Sequence, residues 1–466
     1  MQRRLVTFGG ILAGLLFLLA AAETYQPSLA STAAGLEPAT LIGIAAMLVV
    51  AKLGGEFFER IGQSAVLGEL LGGIAVGNLI LVGFSGAEIL KDNDVIAALA
   101  ELGVIILLFE VGLESDLREM MEVGRSAMLV AVLGVIAPFF LGWAVSAYFN
   151  PYGARLEHIF IGAILCATSV GITARVFKDL GKLRTREARI ILGAAVIDDV
   201  LGLLILALVA GAIRAANSGG DLSSLEIGMI ATKAVLFLIG SVAIGHFVVP
   251  QILRRAGHLE TRGVLLTLAL SLCLLLSWAA AKMGLAPIVG AFAAGLVLDE
   301  VHYKPVRARK ERDLRELLQP VSAVLVPIFF VLMGLKVDLR YFAQLNLLGF
   351  AFLLTLAAVV GKQVCALGVL ERGVNRLAVG LGMVPRGEVG LIFASIGTTL
   401  LLPAANGGYE RVISPATFGV VVIMVIITTL ATPLTLKWSL ARSSSSHSPR
   451  ATSNVSVESG DRDGAT

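Results

Sequence analysis

Long apolar runs alternate with short breaks that hold most of the polar and charged residues of this chain. The runs cover residues 5–22, 39–55, 63–83, 96–113, 126–148, 157–177, 189–213, 225–250, 263–283, 285–299, 316–335, 345–370, 375–401 and 412–438. Most have roughly the 17–25 residues that a helix needs to cross a bilayer. The pattern predicts an all-α polytopic membrane protein.

The first run follows Met-Gln-Arg-Arg and ends in Ala-Ala-Ala-Glu. Residues 1–38 therefore read as a signal peptide or an extra helix, with a linker. Thirteen transmembrane helices remain from residue 39, and an odd number puts the two ends on opposite sides. The loop after the fifth carries Lys178, Lys182, Arg184, Arg186 and Arg189, and the loop after the ninth carries Lys304, Arg307, Arg309, Lys310, Arg312 and Arg315. Arg254, Arg255 and Arg262 follow the seventh, while the even-numbered loops hold only scattered charges such as Lys91, Arg155 and Arg214. The positive-inside rule then places the N-terminus outside and the C-terminus in the cytoplasm, with the chain expected in the cell's inner (plasma) membrane. The Ser-rich tail, residues 443–466, reads as disordered, and no nucleotide-binding G-x-G-x-x-G fold is expected after the membrane part.

Composition sharpens the class. Hydrophobic residues make up 57% of the chain and charged residues 15%; soluble domains have about 45–50% and about 25%. A net charge of +3 gives no reason to expect nucleic acid. Cys166, Cys273 and Cys365 lie inside apolar runs without metal-ligand spacing, so they read as small packing residues.

The chain also repeats itself. Ala65–Gly73 (AVLGELLGG) matches Pro287–Gly295 (PIVGAFAAG), and at the same offset Leu107–Leu117 matches Phe329–Leu339. Thr168–Ile172 faces Gly387–Leu391 after a slip of about three residues. The displacement is seven helices, an odd number, so the two copies run in opposite senses, with residues 225–250 linking them. Inverted-topology repeats are a signature of secondary transporters.

The chemistry lies where the apolar runs are interrupted. Asp198 and Asp199 sit midway along 189–213. A carboxylate at that depth costs about 2.5–3.5 kcal/mol on insertion scales, and an intramembrane acid is by default an ion or proton site. Adjacent residues point about 100° apart on a helix, so one can face a water-filled cavity while the other faces a neighbouring helix. Lys362, in the run 345–370, is a natural buried partner. Thr168, Ser169 and Gly171 interrupt one helix, and Pro385, Arg386, Gly387 and Glu388 interrupt another. Breaks in two corresponding helices predict a broken, crossing pair whose freed backbone groups and dipole ends meet at the midplane. Arg386 and Glu388 are expected to compensate each other's charge or the half-helix ends. Glu69 and Glu110 are further buried acids, assigned to a funnel or an interface. His158 and His246, near helix ends, read as satisfied surface histidines.

The runs LAELGVIILLFEVGLESDL, ATSVGITARVF, AAVIDDVLGL, GLAPIVGAFAAGLVL, PIFFVLMGL and GMVPRGEVGLI resemble the bacterial monovalent cation:proton antiporters, particularly the NapA-type sodium/proton antiporters. The resemblance spans residues 39–438. It implies a homodimer with a dimerisation part (39–113 and 263–335) and a mobile core (126–213 and 345–438) within a transmembrane domain of residues 39–442. It implies that Asp199 carries the cation and the proton, that Asp198 pairs with Lys362, and that Thr168 and Ser169 line the same site.

The expected activity is exchange of sodium or lithium for protons by alternating access: protonation removes the charge that binds the cation, and the coupled acid pair titrates as one unit. If the Lys362 pair opens on cation binding, two protons move per cation and the cycle is electrogenic. No cofactor is needed and no enzyme is expected. Potassium/proton exchange on the same site is the alternative. An intramembrane aspartyl protease needs two aspartates meeting from separate helices, whereas Asp198 and Asp199 share one.

Overall fold

The computed structural model describes residues 37–82, 88–114, 124–217, 224–256, 263–298, 313–403 and 408–445. The expected N-terminal segment, the tail beyond residue 445 and the basic stretch 304–312 lie outside the described residues.

The chain is helical almost throughout. α1 (Pro38–Arg60), α2 (Ala65–Gly77), α3 (Asp94–Glu114), α4 (Arg125–Phe149), α5 (Arg155–Cys166), α6 (Val170–Asp179), α7 (Arg186–Asn217) and α8 (Ser224–Phe247) form the first half. α9 (Val264–Lys282), α10 (Pro287–Val297), α11 (Leu314–Leu335), α12 (Leu345–Val364), α13 (Arg376–Gly382), α14 (Gly387–Thr399) and α15 (Pro415–Ser445) form the second. Ten spans among the described residues are long and apolar enough to cross a membrane, α5 and α6 counting as one. α13 and α14 together make an eleventh, bent by 44°. Large apolar side chains on the outside of the bundle, among them Phe140, Leu236, Phe352 and Leu434, are exposed, as a lipid solvent requires.

Two details differ from the expectation. The runs 63–83 and 285–299 form shorter helices, α2 and α10; thirteen residues rise only about 20 Å. Both are packed inside the bundle, against α1 and α11 and against α9 and α3 respectively, so neither meets lipid alone. The chain is also not wholly helical. Leu401–Pro403 pairs antiparallel with Tyr409–Arg411, with Leu401 opposite Arg411. This short hairpin turns the chain from α14 to α15 and buries Leu402.

The helices fall into two packed groups. One holds α1–α3 and α9–α11; the other holds α4–α7 and α12–α15. α8 touches α7 in one group and α10 in the other. The first group rests on glycines that let backbones touch. A Cβ at Gly73 would strike the Val331 carbonyl and the Gly334 Cα, and one at Gly295 would strike the Phe109 carbonyl and Gly112. These contacts correspond, because Gly73 aligns with Gly295, Gly112 with Gly334 and Phe109 with Val331 at the offset read from the sequence. The same mapping carries the contact of Gly68 on Gly54 onto that of Gly290 on Leu276. Where α3 crosses α11, Gly103 meets Leu325, the residue it aligns with.

Polar bonds close the ends of this group. The Asn78 amide donates to the Val337 and Ile74 carbonyls at 2.8 and 2.9 Å and accepts from the Leu339 N–H at 2.9 Å. At the other end, Arg315 donates to the Leu113 carbonyl at 2.8 Å. Glu69 is buried in α2, and Glu110 of α3 accepts the Ser322 hydroxyl at 2.9 Å, tying α3 to α11.

Close helix contact through small residues drives association where lipid supplies no hydrophobic force. Gly73→Val and Gly295→Val are each expected to lower the melting temperature of the purified protein in detergent, since overpacking costs about 1–3 kcal/mol. Gly240→Val, at a position with open space around it, serves as control. Equal melting temperatures for all three variants would refute the role of these contacts.

Candidate functional site

The two groups of breaker residues meet. α5 ends at Cys166, and Ala167–Ser169 is not helical before α6 begins. α13 ends at Gly382, and α14 begins only at Gly387. Pro385 lacks the N–H that a continuous helix uses, and Gly387 has φ +37, which favours glycine. A Cβ on Gly387 would also lie 2.5 Å from the Ser169 Cβ. The interruptions bond to each other: the Ser169 N–H donates to the Pro385 carbonyl at 2.8 Å, and the Thr173 hydroxyl donates to the Gly382 carbonyl at 2.6 Å.

An interrupted helix leaves carbonyls unpaired at one end and N–H groups at the other, with matching partial charges. At the carbonyl end of α5 stand two fully buried cations. Lys362 donates to the Cys166 carbonyl at 2.9 Å and to both Asp198 oxygens at 3.0 and 3.2 Å, which uses all three of its N–H groups. Gly134 leaves room beside its ammonium. Arg386 donates to the Ala167 carbonyl at 2.6 Å and to the Ala358 carbonyl at 3.1 Å. Its Nε has no protein hydrogen-bond partner among the described residues. At the N–H ends stands an acid: Glu388, in the first turn of α14, accepts the Ser169 hydroxyl at 2.8 Å. Arg386 and Glu388 thus do not pair with each other, because their side chains leave the break toward opposite dipole ends. Each serves the half-helix end instead.

The two aspartates of α7 have opposite surroundings. Asp198 is 1% exposed and committed to Lys362. Asp199 is half-buried, and among the described residues its carboxylate has no hydrogen-bond or ion-pair partner. It lies close enough to Asp198, Glu388 and Glu114 to feel their charges. Thr168 and Ser169 are buried in the interruption, and the Thr168 hydroxyl has no protein hydrogen-bond partner among the described residues. No hydrogen bond joins Asp199 to either. The arrangement is therefore one neutralised acid, one uncommitted acid and unpaired oxygen beside two freed helix ends.

Two openings lie between the helix groups. A cavity of about 470 Å³ opens where α3 and α10 begin and α11 and α14 end, with Asp94, Glu101, Arg214 and Lys336 among its lining. A crevice of about 10 Å³, on the order of one water, reaches Glu388 past Leu67 and Leu70 of α2.

Comparison with known proteins follows this geometry. Residues 43–442 match the model of the sodium/hydrogen exchanger transmembrane family. The chain belongs to this family. It is 37% identical over 435 residues to the high-affinity Na(+)/H(+) antiporter NhaS3 of Synechocystis, covering 85% of this chain and 89% of that one. It is 34% identical to the Na(+)/H(+)-K(+) antiporter GerN of Bacillus cereus, covering 85% and 95%. The fold resembles that of the sodium proton antiporter MjNhaP1 from Methanocaldococcus jannaschii, with a TM-score of 0.62 at 17% identity, over 87% of this chain and 98% of that one.

Sequence reasoning missed parts of the candidate site. The Cys166, Ala167 and Ala358 carbonyls carry no side-chain signal at all. The link between Ser169 and Glu388 needed the two breaks to be brought together. Glu114 stood at a helix end and gave no sign of reaching Asp199. His158 is buried, not superficial, with its Nδ1 2.8 Å from the Ser146 hydroxyl; the His246 side chain lies outside the described part.

Removing one partner of a buried ion pair strands the other charge, at about 3–5 kcal/mol. Asp198→Asn and Lys362→Gln are each expected to lower thermal stability strongly. The double variant should lose less than the sum of the two. Additive losses in detergent melts would show that the pair is not a unit.

Proposed function

We propose that this chain is a secondary active antiporter that exchanges sodium, or lithium, for protons across the bacterial inner membrane. The observation that carries the proposal is the uncommitted, half-buried Asp199 beside the neutralised Asp198–Lys362 pair. A carboxylate held at membrane depth without a fixed partner can take either a proton or a small cation, and each excludes the other. The names of the relatives support sodium as the cargo. Asp199 is the carrier, and Thr168 and Ser169 supply neutral oxygens to the same cation. Asp198 and Lys362 keep the freed end of α5 neutral; release of a proton from Lys362 during the cycle makes exchange electrogenic. Arg386 and Glu388 hold the other charges of the broken helices. The name of GerN favours a second reading, potassium exchange on the same site.

Thirteen spans follow when α2, α10 and the bent pair α13–α14 are counted with the ten long helices. The paired glycine contacts support two inverted repeats. The group α1–α3 with α9–α11 forms the fixed, dimerising part, and α4–α7 with α12–α15 forms the core that moves against it, linked by α8. The homodimer rests on the resemblance alone. The large cavity then opens outward, and the crevice at Glu388 opens from the cytoplasmic half of α2. The bilayer is the solvent of the whole, and no cofactor enters the cycle.

Proteoliposome flux tests the carrier. Wild type is expected to move protons in response to sodium or lithium, with potassium compared in parallel, and Asp199→Asn to fall to the level of protein-free liposomes while remaining folded. Near-normal sodium-dependent proton flux in that variant would remove Asp199 from the role. Currents under a sodium gradient report the electrogenic step.

Orientation has its own test. Single cysteines in the stretch 178–189 are expected to react only with reagent supplied from the cytoplasmic side, and cysteines in 217–225 only from outside. The reverse pattern in intact cells inverts the topology.

A further inference from the structure

Arg214 joins the two helix groups directly. It stands in the last turn of α7, where a positive charge suits the carbonyl end of a helix. Its Nη1 donates to the Gly284 carbonyl at 2.9 Å and to the Leu285 carbonyl at 3.3 Å. Both acceptors lie in the turn between α9 and α10, in the other group. That turn is anchored in its own group. The Gly284 N–H donates to the Ala281 carbonyl at 3.0 Å and the Leu285 N–H to the Ala280 carbonyl at 2.9 Å. Gly284 has φ +82, which favours glycine, and Leu285 and Ala286 are buried. The first bond of α10 goes to the Ala286 carbonyl, so those of Gly284 and Leu285 stand outside the helix ladder. The bonds of Asn78, Arg315 and Glu110, by contrast, stay within the first group, and those of Lys362, Arg386 and Ser169 within the second. Arg214 also lines the large cavity, on the same helix as Asp199 and about 22 Å along it.

We propose that Arg214 is a positioning residue of the transport step, a latch that holds the core against the fixed part while the large cavity is open and releases each time the core moves. The proposal rests on the reading of the two groups as fixed part and moving core. Any movement of α7 past the α9–α10 turn takes the guanidinium away from two carbonyls that belong to the other group. Two bonds from one nitrogen define a direction as well as a distance, so they place the end of α7 against the turn. The setting makes the tie reversible. Arg214 is half-buried at a cavity, where water can replace the two carbonyls once they part. The fully buried Lys362 has no such replacement, and its bonds stay inside the core. Arg214 thus favours the form with the large cavity open by bonds that the other form lacks, which sets how the protein divides between the two.

The test is cysteine labelling in lipid nanodiscs, where a membrane-impermeant maleimide reaches both faces. Ser395→Cys reports on the large cavity and Thr429→Cys on the crevice, which those residues line. Each is made with Arg214 intact and with Arg214→Gln, and the protein without an added cysteine gives the background of the buried Cys166, Cys273 and Cys365. Loss of the latch is expected to slow labelling at position 395 and to speed it at 429. The ratio of the second rate to the first should rise on the order of tenfold, as for the loss of one charge-assisted hydrogen bond. Arg214→Lys, which keeps the charge and loses the planar fork, should shift the ratio the same way by less, and it decides the matter if Arg214→Gln does not fold. A ratio that is unchanged or lowered, or two rates that rise together, overturns the proposal. Labelling needs no transport, so it stands apart from the exchange reading, which falls instead if wild-type proteoliposomes show no sodium-dependent proton flux.

Discussion

The site depends on how the chain neutralises the carbonyl end of a helix broken inside the membrane. α5 stops at Cys166, and bilayer interior offers no water to accept the loss of its hydrogen bonds. Lys362 and Arg386 replace that water. Both are fully buried, and each donates to a main-chain carbonyl at the break, Lys362 to that of Cys166 and Arg386 to that of Ala167. A second positive charge so close would be untenable without an anion, and Asp198 supplies it. Once Asp198 is committed, the neighbouring Asp199 is left with no partner of its own. The uncommitted acid is thus a consequence of how the break is closed.

The same economy sets the difference between the two helix groups. In α1–α3 with α9–α11, backbones touch through glycine at contacts that recur between its two halves. In the other group the centre is a crossing of two interruptions, held by hydrogen bonds and charge. The two groups meet along a cavity at one end and a narrow crevice at the other. In the proposed cycle the first group holds still while the polar crossing is carried past it as a body.

Buried charge is usually a burden on stability, and a well-packed apolar replacement is often as good or better. Here four ionisable groups, Asp198, Asp199, Lys362 and Arg386, share a small volume with Glu388 at its edge. In the proposed cycle that charge is used. The asymmetry among them is informative. The cations are fully buried, whereas the two acids without a cationic partner, Asp199 and Glu388, are the half-buried ones.

Much of this was legible in the residues themselves. Apolar runs placed most helices because lipid demands long apolar segments whatever their neighbours. Aspartates at membrane depth marked the candidate site because an uncompensated charge there is costly. Thr168–Gly171 and Pro385–Gly387 marked the breaks because proline and glycine act locally. The aligned glycines hinted at a repeat, since close backbone approach tolerates no side chain. Distance in space was not legible. Only the folded chain decided that Arg386 turns to the Ala167 and Ala358 carbonyls while Glu388 turns to Ser169, because two residues separated by one glycine at a kink can leave in opposite directions. Only packing shortened α2 and α10, buried His158 against Ser146, and brought Glu114 toward Asp199. A sequence states which charges must be satisfied; the tertiary structure chooses their partners, because main-chain carbonyls from distant helices compete for them and carry no mark in the sequence.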